Sequence, residues 1–446
     1  MRDRRSEEKP AGVPERAKQA GEAHGRWSWV EPNVWTERML TALEKGVRGG
    51  KWFSLIDKVF STRNLKAAFA RVRANRGSAG VDHQTIAMFA DRLEQNLEHL
   101  QRALEDGSYE PREVKRVWIP KPGKRNEKRP LGIPTVRDRV AQTALRNVLE
   151  PIFEVGFAEH SYGFRPGRGC KDALRRVDGL LKQGYTWVVD ADLKSYFDTI
   201  THEVLMQEIA EKVSDSRVLE LIEKYLTQGV METAASWTPD KGTPQGAVIS
   251  PLLSNIYLNP LDHLMAEKGF EMVRYADDFV ILCRSEAEAQ KALAVVESWC
   301  EDVGLTLHPE KTRLVDATQR GGFDFLGYHF ERGYRWPRKK SLKKIKDTVR
   351  AKTRRNNGHS LEAIIASLNR SLVGWFEYYK HSHWTTFPSL DKWIRMRLRS
   401  ILRRRRHRKG RGRGRDHQRW PNAFFADHGL FSLVAAHAEA RQSSRR

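Results

Sequence analysis

Apolar positions along the 446-residue chain switch repeatedly between helical and strand periods. Asn64 to Ala74 (NLKAAFARVRA) repeats its apolar residues close to every 3.6 positions and runs into NRGSAG, where Gly77 and Gly80 suit a helix stop and a turn. A second amphipathic helix is predicted from Ile86 to Leu104, ahead of Pro111. The period then shortens: KRVWIPKPGKRNEKRPLGIPT alternates brief apolar runs with Pro, Gly and basic residues, predicting two strands joined by a basic loop. Helix returns over 137–153, and SYGFRPGRG (Ser161 to Gly169) reads as a loop. TWVVDAD (186–192) is a β-branched, aromatic strand; helices occupy 202–228. The turn-rich KGTPQG leads into AVISPLLSNIYLNPL, the most apolar stretch of the chain. EMVRYADDFVILC (271–283) is two apolar runs separated by Ala276, Asp277 and Asp278, the pattern of a hairpin. Beyond Pro337 the chain is helical and basic, with Ser360 placed to cap one helix and another starting near Pro388. No period of 20 to 50 residues recurs.

Composition adds a partner class. With 39% hydrophobic residues the chain has material for real cores, while 79 Lys plus Arg against 56 Asp plus Glu give +23. A polyanion is therefore the first partner to consider, nucleic acid ahead of a membrane surface. The charge is concentrated: from residue 341 onward there are 26 basic and 7 acidic residues, and the first 340 hold 53 and 49. The opening MRDRRSEEKP lacks the apolar segment of a secretion signal, and no run of 18 apolar residues occurs, so a cytoplasmic protein that does not enter a membrane is expected. Cys170, Cys283 and Cys300 are too few and scattered for a disulfide framework or a four-cysteine zinc site.

Carboxylates beside strongly apolar strands need a use, because such groups are costly to leave unpaired. Asp277 and Asp278 sit at a hairpin tip and Asp192 ends a strand 85 residues earlier. Carboxylates from separate segments suit a pair of hard divalent cations performing in-line phosphoryl transfer. Asp190 and Asp192 face the same way on their strand, so spacing alone leaves both open.

Taken together, these segments resemble reverse transcriptases, and among them the maturases encoded by bacterial group II introns. YADD (Tyr275 to Asp278) looks like the catalytic box, and DADLKSYFD (Asp190 to Asp198) is similar to the first palm motif, a match that selects Asp192. GTPQGAVISPLLSNIYLNPLD (Gly242 to Asp262), IPKPGKRNEKRPLGIPT (Ile119 to Thr135), SYGFRPGRG, GLTLHPEKT (Gly304 to Thr312) and FLGY (Phe325 to Tyr328) match further blocks in family order, between about Asn64 and Tyr379. The resemblance implies an α+β right-hand fold: fingers, a palm with an antiparallel sheet, a helical thumb and a basic C-terminal extension. It divides the chain into a flexible tail (1–25), N-terminal extension and fingers (26–180), palm (181–336), thumb or maturase domain X (337–402) and a basic DNA-binding tail (403–446).

It also implies site roles. Asp192, Asp277 and Asp278 would be catalytic and hold two Mg2+, with Mn2+ as a possible substitute. Lys121 and Arg129 fall where the family contacts the incoming triphosphate, with Lys124, Arg125 and Lys128 as competitors. Phe197 matches the ring that packs on the nucleotide sugar and rejects a 2′-hydroxyl, where RNA-dependent RNA polymerases place a polar Asp. Gln245 resembles a residue that braces the sugar and base, and Lys311 lies in a block near the nucleotide. The partners implied are intron RNA as template, dNTPs, and a DNA target and primer. Lys392, Arg395, Arg399 and Arg403 give one helix a basic face, and the tract RRRRHRKGRGRGR would contact phosphates. Trp375, Tyr378 and Tyr379 are either core residues or base-stacking platforms. His417, His428 and His437 are too far apart in sequence for a zinc site, and no segment resembles the HNH endonuclease of many relatives, so a primer supplied elsewhere is expected.

Overall fold

The computed structural model describes residues 26–47, 49–120, 128–232, 235–237, 241–243 and 246–443. Among these the strands are β1 (Val114–Pro120), β2 (Lys128–Ile133), β3 (Trp187–Asp192), β4 (Val230–Glu232), β5 (Ala235–Trp237), β6 (Glu271–Tyr275), β7 (Asp278–Cys283), β8 (Arg313–Asp316), β9 (Phe323–Phe325), β10 (Tyr328–Glu331) and β11 (Tyr334–Pro337). They form three sheets, ordered β2-β1-β4-β5, β6-β7-β3-β8 and β11-β10-β9. The predicted pair around the basic loop is antiparallel, from Lys115 opposite Ile133 to Pro120 opposite Lys128. The mixture of helices with largely antiparallel strands fits the right-hand polymerase architecture.

Two helices, Val136–Glu154 and Ser250–Glu267, are buried on most of their faces, which is why their sequences show little amphipathic contrast. Val136–Glu154 is capped by Thr135, whose hydroxyl accepts from the Asp138 N–H at 3.1 Å. Ser250–Glu267 grows from the most apolar stretch and keeps Pro260 in its interior. The helix expected over Ile86–Leu104 is instead two, Ile86–Asp91 and Leu93–Asp106, interrupted at Arg92 (φ −125°, ψ 42°). The break turns Phe89 onto Phe69, rings stacked at 5.4 Å, while the Asn96 amide donates to the Phe89 carbonyl at 2.9 Å.

The chain divides into two compact units: 1–176, 191–281 and 287–313 in one, 177–190, 282–286 and 314–446 in the other. The second has a helical core of Lys339–Lys352, Leu361–Tyr379 and Thr386–Arg405. Ser360 does cap its helix, accepting from the Ala363 N–H at 3.1 Å. Tyr378 and Tyr379 are structural: their hydroxyls donate to the Leu326 carbonyl at 2.6 Å and to Ser341 Oγ at 2.8 Å, and both rings lie against Tyr328. Arg399, expected on a solvated basic face, is buried. Its Nε donates to the Trp420 carbonyl at 2.9 Å and its guanidinium lies over Phe425. The chain past Arg405 thus folds back on the helices, with Phe425 and Leu433 fully buried and Asp391 accepting from the Leu433 N–H at 3.2 Å.

Candidate active site

Asp192 ends β3, and the segment Thr306 to Lys311 runs beside it: the His308 N–H donates to the Asp192 carbonyl at 2.7 Å and the Lys194 N–H to Thr306 at 2.9 Å. This backbone pairing delivers Lys311, whose ammonium forms an ion pair with the Asp192 carboxylate. Lys311 is therefore not a free surface lysine. Asp277 lies in the turn between β6 and β7, and Asp278 begins β7, exposed at its tip. Burial, with the Asp192 charge adding to it, pushes the Asp277 carboxyl above the usual aspartate range, against the lowering pull of its own backbone N–H, Arg274 and Lys311. The carboxylates at the ends of two neighbouring strands thus share one electrostatic site.

The turn that presents Asp277 is strained and tightly supported. Ala276 sits at φ +60°, a region a side chain with Cβ rarely adopts. Its carbonyl accepts from Arg274 Nη1 at 2.9 Å. Arg274 is fully buried; its Nε faces both Asp262 oxygens at 2.8 and 3.0 Å, and Nη1 also reaches Asn255 Oδ1 at 3.0 Å. Burial opposes that charge, but the Asp262 carboxylate outweighs it and the Arg274 pKa ends raised. Asn255 in turn donates to the Gly163 carbonyl at 2.8 Å. Gly163 lies so close beneath the turn that a Cβ there would be 2.1 Å from Ala276 N and 2.8 Å from the Tyr275 carbonyl carbon. Motif matching alone did not single out this support. Its signal was present: Asp262 is a charge directly after the most apolar stretch, and Arg274 a charge inside an apolar strand.

The reverse transcriptase (RNA-dependent DNA polymerase) family model matches residues 119–330, and the group II intron maturase-specific domain matches residues 342–420. Protein YkfC of Escherichia coli (strain K12) is 31% identical over 384 residues, 76% of this chain and 94% of that protein. The chain belongs to the group II intron-encoded reverse transcriptases. The group II intron-encoded protein LtrA of Lactococcus lactis subsp. cremoris is 38% identical over 204 residues, 45% of this chain but only 33% of LtrA. Among solved structures, telomerase from Candida albicans aligns at 13% identity and a TM-score of 0.42, covering 70% of this chain and 63% of that one.

In this reverse transcriptase a cleft of about 370 Å3 opens beside the palm motif, lined by Phe197, Asp198, Arg116, Trp118, Pro130 and Gly242 among others. Phe197 is half-buried on the short helix Tyr196–Thr199, where the Thr243 N–H donates to the Phe197 carbonyl at 2.7 Å and the Gly242 N–H to Ile200 at 2.8 Å. Gly242 has φ +91°, and a Cβ on it would meet the Phe197 carbonyl at 2.6 Å, so glycine is what lets the two motifs touch. Gly246 comes equally close to the Gly132 carbonyl on β2. Arg129 is exposed on β2. Burial pushes the Asp198 pKa up, with Arg116 opposing it. Lys121, Lys124, Arg125 and Gln245 lie outside the described residues.

Among the described residues no group of three or more His, Cys, Asp or Glu side chains is arranged to hold a metal ion. The donors at this site are nonetheless hard carboxylate oxygens, and the Lys311 ammonium already stands on Asp192 as a cation would. That chemistry fits a divalent cation. No helix among the described residues is long and apolar enough to cross a membrane.

Proposed function

We propose that this reverse transcriptase binds the RNA of its own intron, assists its splicing and copies it into cDNA from a primer on target DNA. Asp192, Asp277 and Asp278 would hold two Mg2+, which when bound lower the pKa of the primer 3′-hydroxyl and steady the departing pyrophosphate. Lys311 neutralises Asp192 and so eases the repulsion between its carboxylate and that of Asp277. Phe197 closes the cleft to a 2′-hydroxyl and so selects deoxynucleotides. Arg129, with Lys121, receives the triphosphate, and Gln245 braces the sugar and base. The observation that carries the reading is the placement of Asp192 and Asp277 at the ends of neighbouring strands, with Asp277 on a turn strained at Ala276 and braced by Arg274 and the close approach of Gly163. A protein that only bound RNA would have no use for that strain.

The partner is tested by recovering the full chain from cells in moderate salt and sequencing its RNA. Enrichment of structured intron RNA flanking the coding sequence is expected; RNA in proportion to cellular abundance would refute the assignment.

A further inference from the structure

The helical unit carries a groove of about 620 Å3 lined by Tyr334, Lys380, His383, Trp384, His437 and Arg441, among others. That size lies within the roughly 300–1,000 Å3 of sites that take nucleotide-sized groups. Tyr334 and Trp384 are 55% and 56% exposed, the two most exposed aromatic side chains among the described residues. Tyr378 and Tyr379 are held by hydrogen bonds inside the second unit, so among its described residues Tyr334 and Trp384 are the rings that face outward.

The groove is rigidly built. Its hairpin turns at Arg332 (φ +53°) and Gly333 (φ +75°), which sets Tyr334 at the start of β11. The His383 N–H donates to the Arg335 carbonyl at 2.7 Å, tying His383 to that strand with its ring 4.7 Å from Tyr334 and 5.5 Å from Trp336. Arg335 is spent on the wall, donating to the His381 carbonyl at 2.8 Å and pairing with Asp178 at 3.1 Å. Among the described lining residues none is acidic; Arg441 brings positive charge to it, and Lys380 adds its ammonium while paired with Glu377 behind the groove at 3.0 Å. Burial first, then the Arg441 and His383 charges, hold His437 below the ordinary histidine range, consistent with a positive local field. Exposed π-faces in a basic, preformed groove match a ligand with flat rings and a negative backbone.

We infer that this groove seats unpaired RNA, with bases stacking on Tyr334 and Trp384 and phosphates against Lys380 and Arg441. Duplex RNA keeps its base faces covered, so only a single-stranded loop or end presents them. RNA is the nucleic acid assigned because residues 380–384 fall inside the maturase-specific match, and to that extent the inference rests on the proposed binding of intron RNA.

The test uses the full chain, a fluorescein-labelled unstructured RNA 12-mer, a fully paired RNA hairpin and a DNA 12-mer of matching sequence, read by anisotropy. Combining Tyr334→Ala with Trp384→Ala is expected to weaken the RNA 12-mer about ten- to a hundred-fold, from the usual worth of base stacking. The salt slope should stay, because the phosphate contacts remain. Tyr334→Phe with Trp384→Phe should stay close to wild type, and hairpin binding should not change. Unchanged 12-mer binding, equal loss on both RNAs, or tighter binding of the DNA 12-mer by the wild type would overturn the inference. Intron RNA captured equally by wild type and the double alanine variant would leave the proposed partner standing and remove the groove. Loss of 12-mer binding in a chain that does not enrich intron RNA would do the reverse.

Discussion

Gly163→Ala probes the support of the catalytic turn without touching a carboxylate. The added methyl would lie 2.1 Å from Ala276 N, 2.8 Å from the Tyr275 carbonyl carbon and 2.9 Å from Ala276 Cα, where 3.4–4 Å is ordinary contact. The atoms it meets are backbone, so no side chain can swing away. Relief requires the turn, or the Gly163 loop bonded to Asn255, to move on the order of 1 Å, and a displacement of that size costs catalysis about 100-fold. Overpacking of this kind costs about 1–3 kcal/mol in stability, which leaves the protein folded for assay. The measurement is kcat for dNTP incorporation on an RNA template with a DNA primer, alongside a thermal melt. Gly169→Ala in the same loop is the control: its nearest neighbour to a new Cβ is the flexible Asp172 carboxylate at 3.8 Å, and activity should be near wild type. A folded Gly163→Ala protein with kcat within about threefold of wild type would refute the claim that close approach at this glycine sets the position of Asp277.

Further outcomes follow from the same geometry. Asp262→Ala strands the buried Arg274 charge, so it should lose about 3–5 kcal/mol in chemical denaturation, against little change for an exposed pair such as Arg350 with Asp347; equal small losses would contradict the role of the network. Phe197→Ala should raise the kcat/KM ratio of ribonucleotide to deoxynucleotide, and an unchanged ratio would remove the gate. Burial, helped by Glu297 and Glu301, pushes the Cys300 thiol up to about 12. It stays almost wholly protonated, hence unreactive, from pH 7 to 9, and native alkylation followed by mass spectrometry over that range should label the half-exposed Cys170 while sparing the buried Cys283 and Cys300.

Much of the scaffold was legible because local chemistry specified it. Ser360 announces its helix through a side-chain cap, and the hairpin of β6 and β7 follows from two apolar runs broken by Ala276, Asp277 and Asp278, although Asp278 already belongs to β7 and the turn itself is two residues. Long-range partners were not legible. Nothing local to Lys311 says that it reaches Asp192, since the contact depends on a backbone pairing between segments more than a hundred residues apart. Arg399 reads as one of many solvated arginines, and only the return of Trp420 and Asn422 turns it into a buried hydrogen-bond donor. The kink at Arg92 escaped the helical period because both halves keep their apolar spacing while Phe89 turns to meet Phe69. Basic residues that looked alike in sequence therefore divide into those that build the fold and those, such as Lys380 and Arg441, that line a surface.

The central claim is that Asp192 and Asp277 form one metal-dependent polymerase site on an RNA-copying enzyme. Its most direct test is primer extension by the purified full chain on a defined RNA template with dNTPs and Mg2+, comparing wild type with Asp192→Ala and Asp277→Ala, each verified as folded by its thermal melt. Template-length cDNA from the wild type, abolished by chelation and by either substitution, is the predicted result. Extension that persists in either variant would contradict the account.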